Sequence, residues 1–191
     1  MSDGYLTGNL LVASPALGDE NFERSVILLV DHDEAGALGV VINRPSTIDV
    51  AAILPDWHVY STAPAVVFEG GPVGRDSALA LGALTSAHGS VAVEEPLGFR
   101  QVFGQLGLVD LDAPPEVVAG EIARMRVFAG YAGWGADQLE QEIKEGAWFV
   151  VESSPWDPFE PDPQHLWRDV LRRQGGELAW LATYPADPTL N

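Results

Sequence analysis

The chain has no cysteine. A disulfide framework, a thiol nucleophile and thiolate metal ligation are therefore excluded, and the composition suits a reducing compartment. Long hydrophobic runs are also missing. Nothing approaches the roughly 18 apolar residues of a membrane span, and the opening MSDGYLTG lacks the basic start and apolar stretch of a secretory signal. The expectation is a cytoplasmic protein without a membrane partner. Cations are scarce: Lys and Arg total 10 against 28 Asp and Glu, a formal net charge of −18. A duplex or an anionic membrane surface is repelled at long range by such a chain. The one basic cluster, Arg168, Arg172 and Arg173, falls where a last helical turn would use it against the helix dipole. Direct nucleic-acid binding is not expected.

The usual catalytic spacings are missing as well. No GxSxG elbow, HExxH pair or P-loop occurs, and the histidines at 32, 58, 88 and 165 offer no clear partner for Ser14, Ser25 or Ser90. Asp31-His32-Asp33-Glu34 brings three carboxylates and an imidazole together. A calcium loop begun at Asp31 would put Ala35 at position 5 and Ile42 at position 12, where oxygen ligands are required. The cluster reads as an exposed hairpin turn instead. No metal, cofactor or catalytic residue is expected.

What is present describes a scaffold. With 191 residues, 47% hydrophobic and 20% charged, one domain over 1–191 can bury a sizeable core. Asn9 to Ala13 reads as a first strand, stopped by Ser14-Pro15. In the loop that follows, Phe22 reads as an anchor into the core and Arg24 as an ion-pair partner of Asp19 or Glu20. Ser25 to Val30 and Ala37 to Ile42 read as a hairpin. Ser46 or Thr47 can cap a helix over Ile48 to Leu54 that Pro55 ends. Ala65 to Phe68, Ala78 to Leu81, Ser90 to Val93 and Phe99 to Val109 each read as a strand. Asp112 can cap a short helix through Pro114 and Pro115.

Residues 124–151 organise the rest. Val127 to Tyr131 predicts a buried strand broken by Gly130 and Gly133. A helix should follow, with Gly135 as N-cap, Gln138 reaching back to it, Trp134 packed on Leu139, and Gly146 closing it. Trp148 to Val151 is too continuously apolar for a half-exposed strand and predicts one covered on both faces. Beyond it, SSPWDPFEPDPQ is a proline-rich loop carrying Trp156 and Phe159, rings that either pin the loop or meet a protein partner. Asp162 and Pro163 should open a last helix with Trp167, Val170 and Leu171 on one face and Gly175 at its end.

RVFAGYAGWGADQLEQEIKEGAW (126–148) closely resembles the signature of the YqgE/AlgH family of bacterial proteins. GNLLVASPALGDENFERSVILLVDHDEAGALGVVINRP (8–45) matches its opening motif, and EGGPV (69–73) and DPTLN (187–191) match further landmarks. The resemblance implies an α+β domain whose bifurcated, mostly antiparallel sheet curls into a pseudo-barrel flanked by short helices. It also carries a label of transcriptional regulator without an established reaction.

Two functional readings follow. One is a non-catalytic regulatory or interaction protein, with the Trp156 and Phe159 rings as candidate contacts for an unknown protein partner. The other is an enzyme or small-ligand binder whose pocket forms where Asn43-Arg44, Glu69-Gly70-Gly71 and Tyr131-Gly133-Trp134 converge, the motif-matching segments that hold polar or unpaired backbone groups.

Overall fold

The computed structural model describes residues 5–85 and 95–185. Strand β1 (Asn9–Ala13) leads into the hairpin of β2 (Val26–Asp33) and β3 (Gly36–Val41). β4 (Pro45–Asp49) runs into two single-turn helices, α1 (Val50–Ile53) and α2 (Pro55–His58), and then β5 (Val66–Glu69) and the long β6 (Val73–Leu84). A second hairpin, β7 (Phe99–Phe103) and β8 (Leu106–Val109), precedes β9 (Ile122–Gly135), α3 (Gln138–Lys144) and β10 (Trp148–Glu152). The chain then closes with α4 (Leu166–Gln174) and α5 (Gly176–Leu181). The strands form a single sheet in the order β10-β1-β2-β3-β9-β6-β8-β7, with β4 and β5 branching from β9. All its pairings are antiparallel except β5 with β9. The sheet curls into a half-barrel carrying a few short helices, an α+β fold.

Strand alternation sorts the core into layers. In β1, Leu10 and Val12 join one cluster and Leu11 and Ala13 another, and in β2, Val26 and Leu28 separate from Ile27 and Leu29 in the same way. The first cluster is sealed by α4 through Trp167, Val170 and Leu171, and the Trp167 indole donates to the Ala13 carbonyl at 2.9 Å. The second is sealed by α3 through Leu139. A third, under α1 and α2, unites Val50 and Trp57 with Met125 and Val127 of β9. β10 is covered on both faces as its composition predicts, with Trp148 and Val150 on the α3 side and Phe149 and Val151 on the α4 side.

The sheet forks at Gly130. Up to Ala129 strand β9 pairs with β5 on one edge and β6 on the other, and from Ala132 it pairs with β3. Phe128 faces the α4 cluster, yet Ala132 and Trp134, of the same parity, face the α3 cluster. The change of face falls at Gly130, whose φ of +74° turns the strand without interrupting it. Its neighbour across the fork is Gly71, where an added Cβ would lie 2.2 Å from the Tyr131 carbonyl. The backbones cross there with no room for a side chain.

Several local expectations are corrected. Gly130 and Gly133 do not end the strand, which runs to Gly135. The helix begins at Gln138 after Asp137 in a left-handed conformation, although the Gln138 side chain does reach back to the Gly135 N–H at 3.0 Å. Ser46 and Thr47 lie in a strand, and the α1 cap is Asp49, whose carboxylate accepts from the Ala51 N–H at 2.8 Å. The first helix does stop before Pro55, with Leu54 as its C-cap, and Pro55 then opens α2. Phe99 to Val109 is two strands turning at Gly104. Asp112 caps nothing, and its region forms a single 3-10 turn over Pro115–Val117. The Asp162 carboxylate binds the His165 ring at 2.6 Å instead of capping α4.

His32 departs furthest from its expected place. Asp31 to Asp33 continue β2, and the His32 ring is buried, with Nδ1 accepting from the Leu6 N–H at 3.0 Å and Nε2 lying 2.8 Å from Glu140. Arg24 leaves Asp19 and Glu20, and donates to the Tyr184 carbonyl at 2.7 Å with its guanidinium over the Trp167 ring. The Ser90 to Val93 strand and the 187–191 landmark lie outside the described residues. Among the described residues no helix is long and apolar enough to cross a membrane.

Candidate functional site

The end of β3 delivers Asn43 and Arg44 to a crowded corner. Asn43 is buried, its Oδ1 accepting from the Val26 N–H and its Nδ2 donating to the Arg24 carbonyl, both at 2.9 Å. Both ends of the amide are occupied in holding the hairpin to the preceding loop. Arg44 donates to the carbonyls of Asn21 and Glu23. Burial holds its guanidinium below the ordinary arginine range, against the opposing pull of Glu69, Glu23 and Asp19. Glu69 is exposed beside it, and its N–H donates to the Arg44 carbonyl at 2.8 Å.

The glycine turn is also largely occupied. The Gly70 N–H donates to the Ala129 carbonyl and its own carbonyl accepts from the Val41 N–H, both at 2.8 Å, so Gly70 stitches the fork. A small depression of about 160 Å³ opens between Ser46, Phe68, Glu69, Gly71 and Arg75, and an adjoining one of about 10 Å³ reaches Arg44. Arg75, unremarked in the sequence, stands exposed on the excursion of β6 between Val73 and Ala78.

Of the third predicted segment only Tyr131 borders this corner, with its ring against Gly74. Gly133 is exposed further along the strand, and Trp134 lies in the α3 cluster, stacked on Phe22 and edge-on to Trp148. The three segments therefore converge in part: Arg44, Glu69, Gly71 and Tyr131 meet, while Asn43, Gly70 and Trp134 serve the scaffold. The two loop rings also separate. Phe159 is buried in the α4 cluster, whereas Trp156 is half exposed with the Arg124 guanidinium 5.3 Å from its ring centre.

Arg126 gives the loop its anchor. Its guanidinium is 1% exposed and donates to the carbonyls of Pro158, Glu160 and Ala63 at 3.0, 3.1 and 2.8 Å, and it lies 4.3 Å over the Phe68 ring. Burial pushes the group down to about 10, and the nearby Glu160 charge opposes that shift. A cation at an inward position of a strand is the only sequence signal for this role.

A larger concavity lies elsewhere. A groove of about 880 Å³ runs between α1–α2 and the 111–116 loop. Trp57 forms its floor, 3% exposed, with its indole donating to the Leu111 carbonyl at 3.2 Å. Ile53, Val59 and Tyr60 stand on its rim at 49%, 76% and 38% exposure. Sequence reasoning missed it. Pro55 and the pair Pro114-Pro115 mark two stiff loops, but nothing in their order sets them side by side. Among the described residues no three His, Asp or Glu side chains gather closely enough to hold a metal ion.

A half-barrel sheet forked by a glycine crossing, with α3 and α4 on opposite faces, is the class of structure defined here. A family model described as AlgH-like matches residues 10–179, so the chain belongs to the AlgH-like family. A UPF0301 protein of Streptomyces coelicolor is 59% identical over 186 residues, covering 97% of this chain and 95% of that protein. Another from Thermobifida fusca is 49% identical, covering 97% and 96%. A crystal structure of a Corynebacterium diphtheriae protein matches with a TM-score of 0.87 at 34% identity, covering 94% of this chain and 92% of that one. The solution structure of the AlgH protein from Pseudomonas aeruginosa matches with a TM-score of 0.66 at 27% identity, covering 98% of each.

Proposed function

We propose that the chain is a non-catalytic interaction module that receives a partner protein in the groove between α1–α2 and the 111–116 loop. The observation that carries this reading is the exposure of Ile53, Val59 and Tyr60 around a single concavity. Clustered exposed apolar side chains rimmed by polar ones are a feature of protein contact surfaces. A regulatory role exercised this way requires no contact with nucleic acid, in keeping with the net charge of −18. The setting we propose is the cytosol, a reading supported by the cysteine-free composition.

A photo-crosslinking residue placed at Val59 in cells tests the reading, with one at exposed Arg100 as control. A discrete adduct from position 59 that position 100 does not give is expected. Equal or absent adducts from both positions would count against it.

A second reading has one observation in its favour. Glu69, Gly71 and Arg75 border both small depressions beside Arg44, an arrangement that would suit a small polar ligand carrying both charges. Chemical-shift perturbation at Gly71 and Arg75 during a screen of zwitterionic metabolites tests it.

A further inference from the structure

We infer that the groove's occupant is a basic amphipathic helix of a partner protein, its apolar face on the rim of Ile53, Val59 and Tyr60 and its cations against Asp56, Asp112 and Glu116. This rests on the interaction reading above and adds the chemistry of the partner.

Charge is the first argument. Three carboxylates line the groove, on Asp56, Asp112 and Glu116, all of them on exposed residues, and none of its lining residues is Lys, Arg or His. The nearest histidine in sequence, His58, turns to Asp49 at 3.1 Å. A net charge of −18 adds a long-range attraction for cations that the groove then focuses.

Apolar contact is the second. Among the described residues twelve large hydrophobic side chains are exposed, and Ile53, Val59 and Tyr60 on the rim with Val117 beside it make up four of them. Carboxylates alone would attract any polycation without placing it. The apolar rim supplies the register, and Trp57 beneath it is fixed by its bond to Leu111.

The backbone decides the occupant's conformation. A strand docking by β-addition needs free N–H and C=O groups along an edge. Here the Asp112 N–H is taken by the Asp110 carboxylate at 3.0 Å, the Ala113 N–H by the Asp110 carbonyl, and the Leu111 carbonyl by Trp57. Pro114 and Pro115 have no N–H. On the other wall the Trp57 and Tyr60 N–H groups are bonded within α2 and its turn. A helix arrives with its own backbone bonds made and asks the groove only for side-chain contacts, the mode in which an apolar face is read at i, i+3, i+4 and i+7.

Three synthetic 16-residue helices test this, each with Leu at those positions and with Lys, Gln or Glu on the remaining face. Each is titrated into the isotope-labelled full chain, with amide shifts and fluorescence anisotropy as readouts. The Lys peptide should bind saturably, with shifts confined to 53–60 and 111–117. Its affinity should fall about tenfold in Ile53→Ser/Val59→Ser and about threefold or more in Asp56→Asn/Asp112→Asn, and decline with salt. All four substituted side chains are on exposed residues, and unchanged thermal unfolding confirms that the fold is intact. Shifts scattered over the acidic surface, or affinity indifferent to the Ser pair, would overturn the inference as delocalised attraction. Tighter or equal groove binding by the Gln or Glu peptide would overturn the partner's charge while leaving the interaction reading standing. No groove shift with any of the three would overturn the inference, and an absent Val59 adduct alongside it would remove the interaction reading too.

Discussion

Trp134 and Trp148 aim their indole N–H groups at the same oxygen of Glu142, at 2.9 and 2.8 Å. The other Glu142 oxygen accepts from the Gln138 amide at 2.9 Å, and the Gln138 oxygen accepts from the Gly135 N–H. One carboxylate on α3 thus ties the end of β9 to the start of β10 and closes the α3 cluster from above.

Glu142→Ala should destabilise the protein by about 2–4 kcal/mol, since each partly buried indole N–H left without an acceptor costs roughly 1–2 kcal/mol. Glu142→Gln keeps an acceptor and should lose less than half as much. Urea unfolding followed by tryptophan fluorescence measures both. Equal losses would show that packing of α3, rather than the shared acceptor, is what matters.

Arg126→Met should be among the most damaging single changes, at roughly 3–5 kcal/mol, because three carbonyls lose charge-assisted donors at once. Arg126→Lys should rescue little, since one ammonium cannot span the fork that reaches Ala63, Pro158 and Glu160. The sign of the pH effect follows from the direction of the shift. A cation whose folded value is lowered to about 10 binds its proton less well in the folded state, so its contribution to stability rises with pH only above about 10. The difference between wild type and Arg126→Met should accordingly be flat from pH 6 to 9 in chemical unfolding. A slope across that range would contradict the assignment.

Asp157 and Arg173 pair through two parallel bonds of 2.5 and 2.7 Å, and Arg173 also donates to the Glu152 carbonyl at 3.1 Å. The hydrogen bond to Asp157 raises the Arg173 guanidinium above its usual value, against its own desolvation. That stability is fully present below the ordinary arginine range and is lost only as pH climbs through the raised value, so it is constant near neutrality. Asp157 is buried but Arg173 is partly exposed, and solvent screening limits the pair. A double-mutant cycle with Asp157→Asn and Arg173→Gln should give a coupling of about 1–2 kcal/mol. A coupling near zero would leave the 153–160 loop held by its other contacts, those of Arg126, Phe159, Trp156 and Ser153.

Purified protein should show no measurable affinity for random duplex DNA at physiological salt, because repulsion by the net charge opposes the phosphate contacts that dominate such binding. The basic cluster proposed for a last helical turn gives little to a duplex, since Arg173 is engaged by Asp157 and Arg172 lies 3.5 Å from Asp169. A salt-sensitive mobility shift would sink this expectation.

How much was legible in the sequence differs between fold and site. Local signals carried the hairpin of β2 and β3, the Gly146 stop and the two-faced β10, because apolar alternation and turn chemistry act over a few residues. They failed at Gly130, where a positive φ turns the strand instead of ending it, and at His32, whose burial depends on Leu6 and on Glu140 far away in the chain. Of the proposed pocket, Arg44, Glu69, Gly71 and Tyr131 do meet, while Trp134 looks into another layer. Phe159 lies in the core and pins the loop, the other role that its composition allowed.

Composition and short-range pattern by themselves determined an acidic, cysteine-free chain with β-rich hairpins and short helices, because hydrophobic period and charge are additive along a sequence, while the α+β class came from the resemblance of its motifs to those of the family. Tertiary structure alone decided that Arg126 is a buried tether and that α2 and the 111–116 loop face each other across a groove. Both depend on backbone segments tens of residues apart being brought within hydrogen-bond reach, and no local propensity encodes that distance.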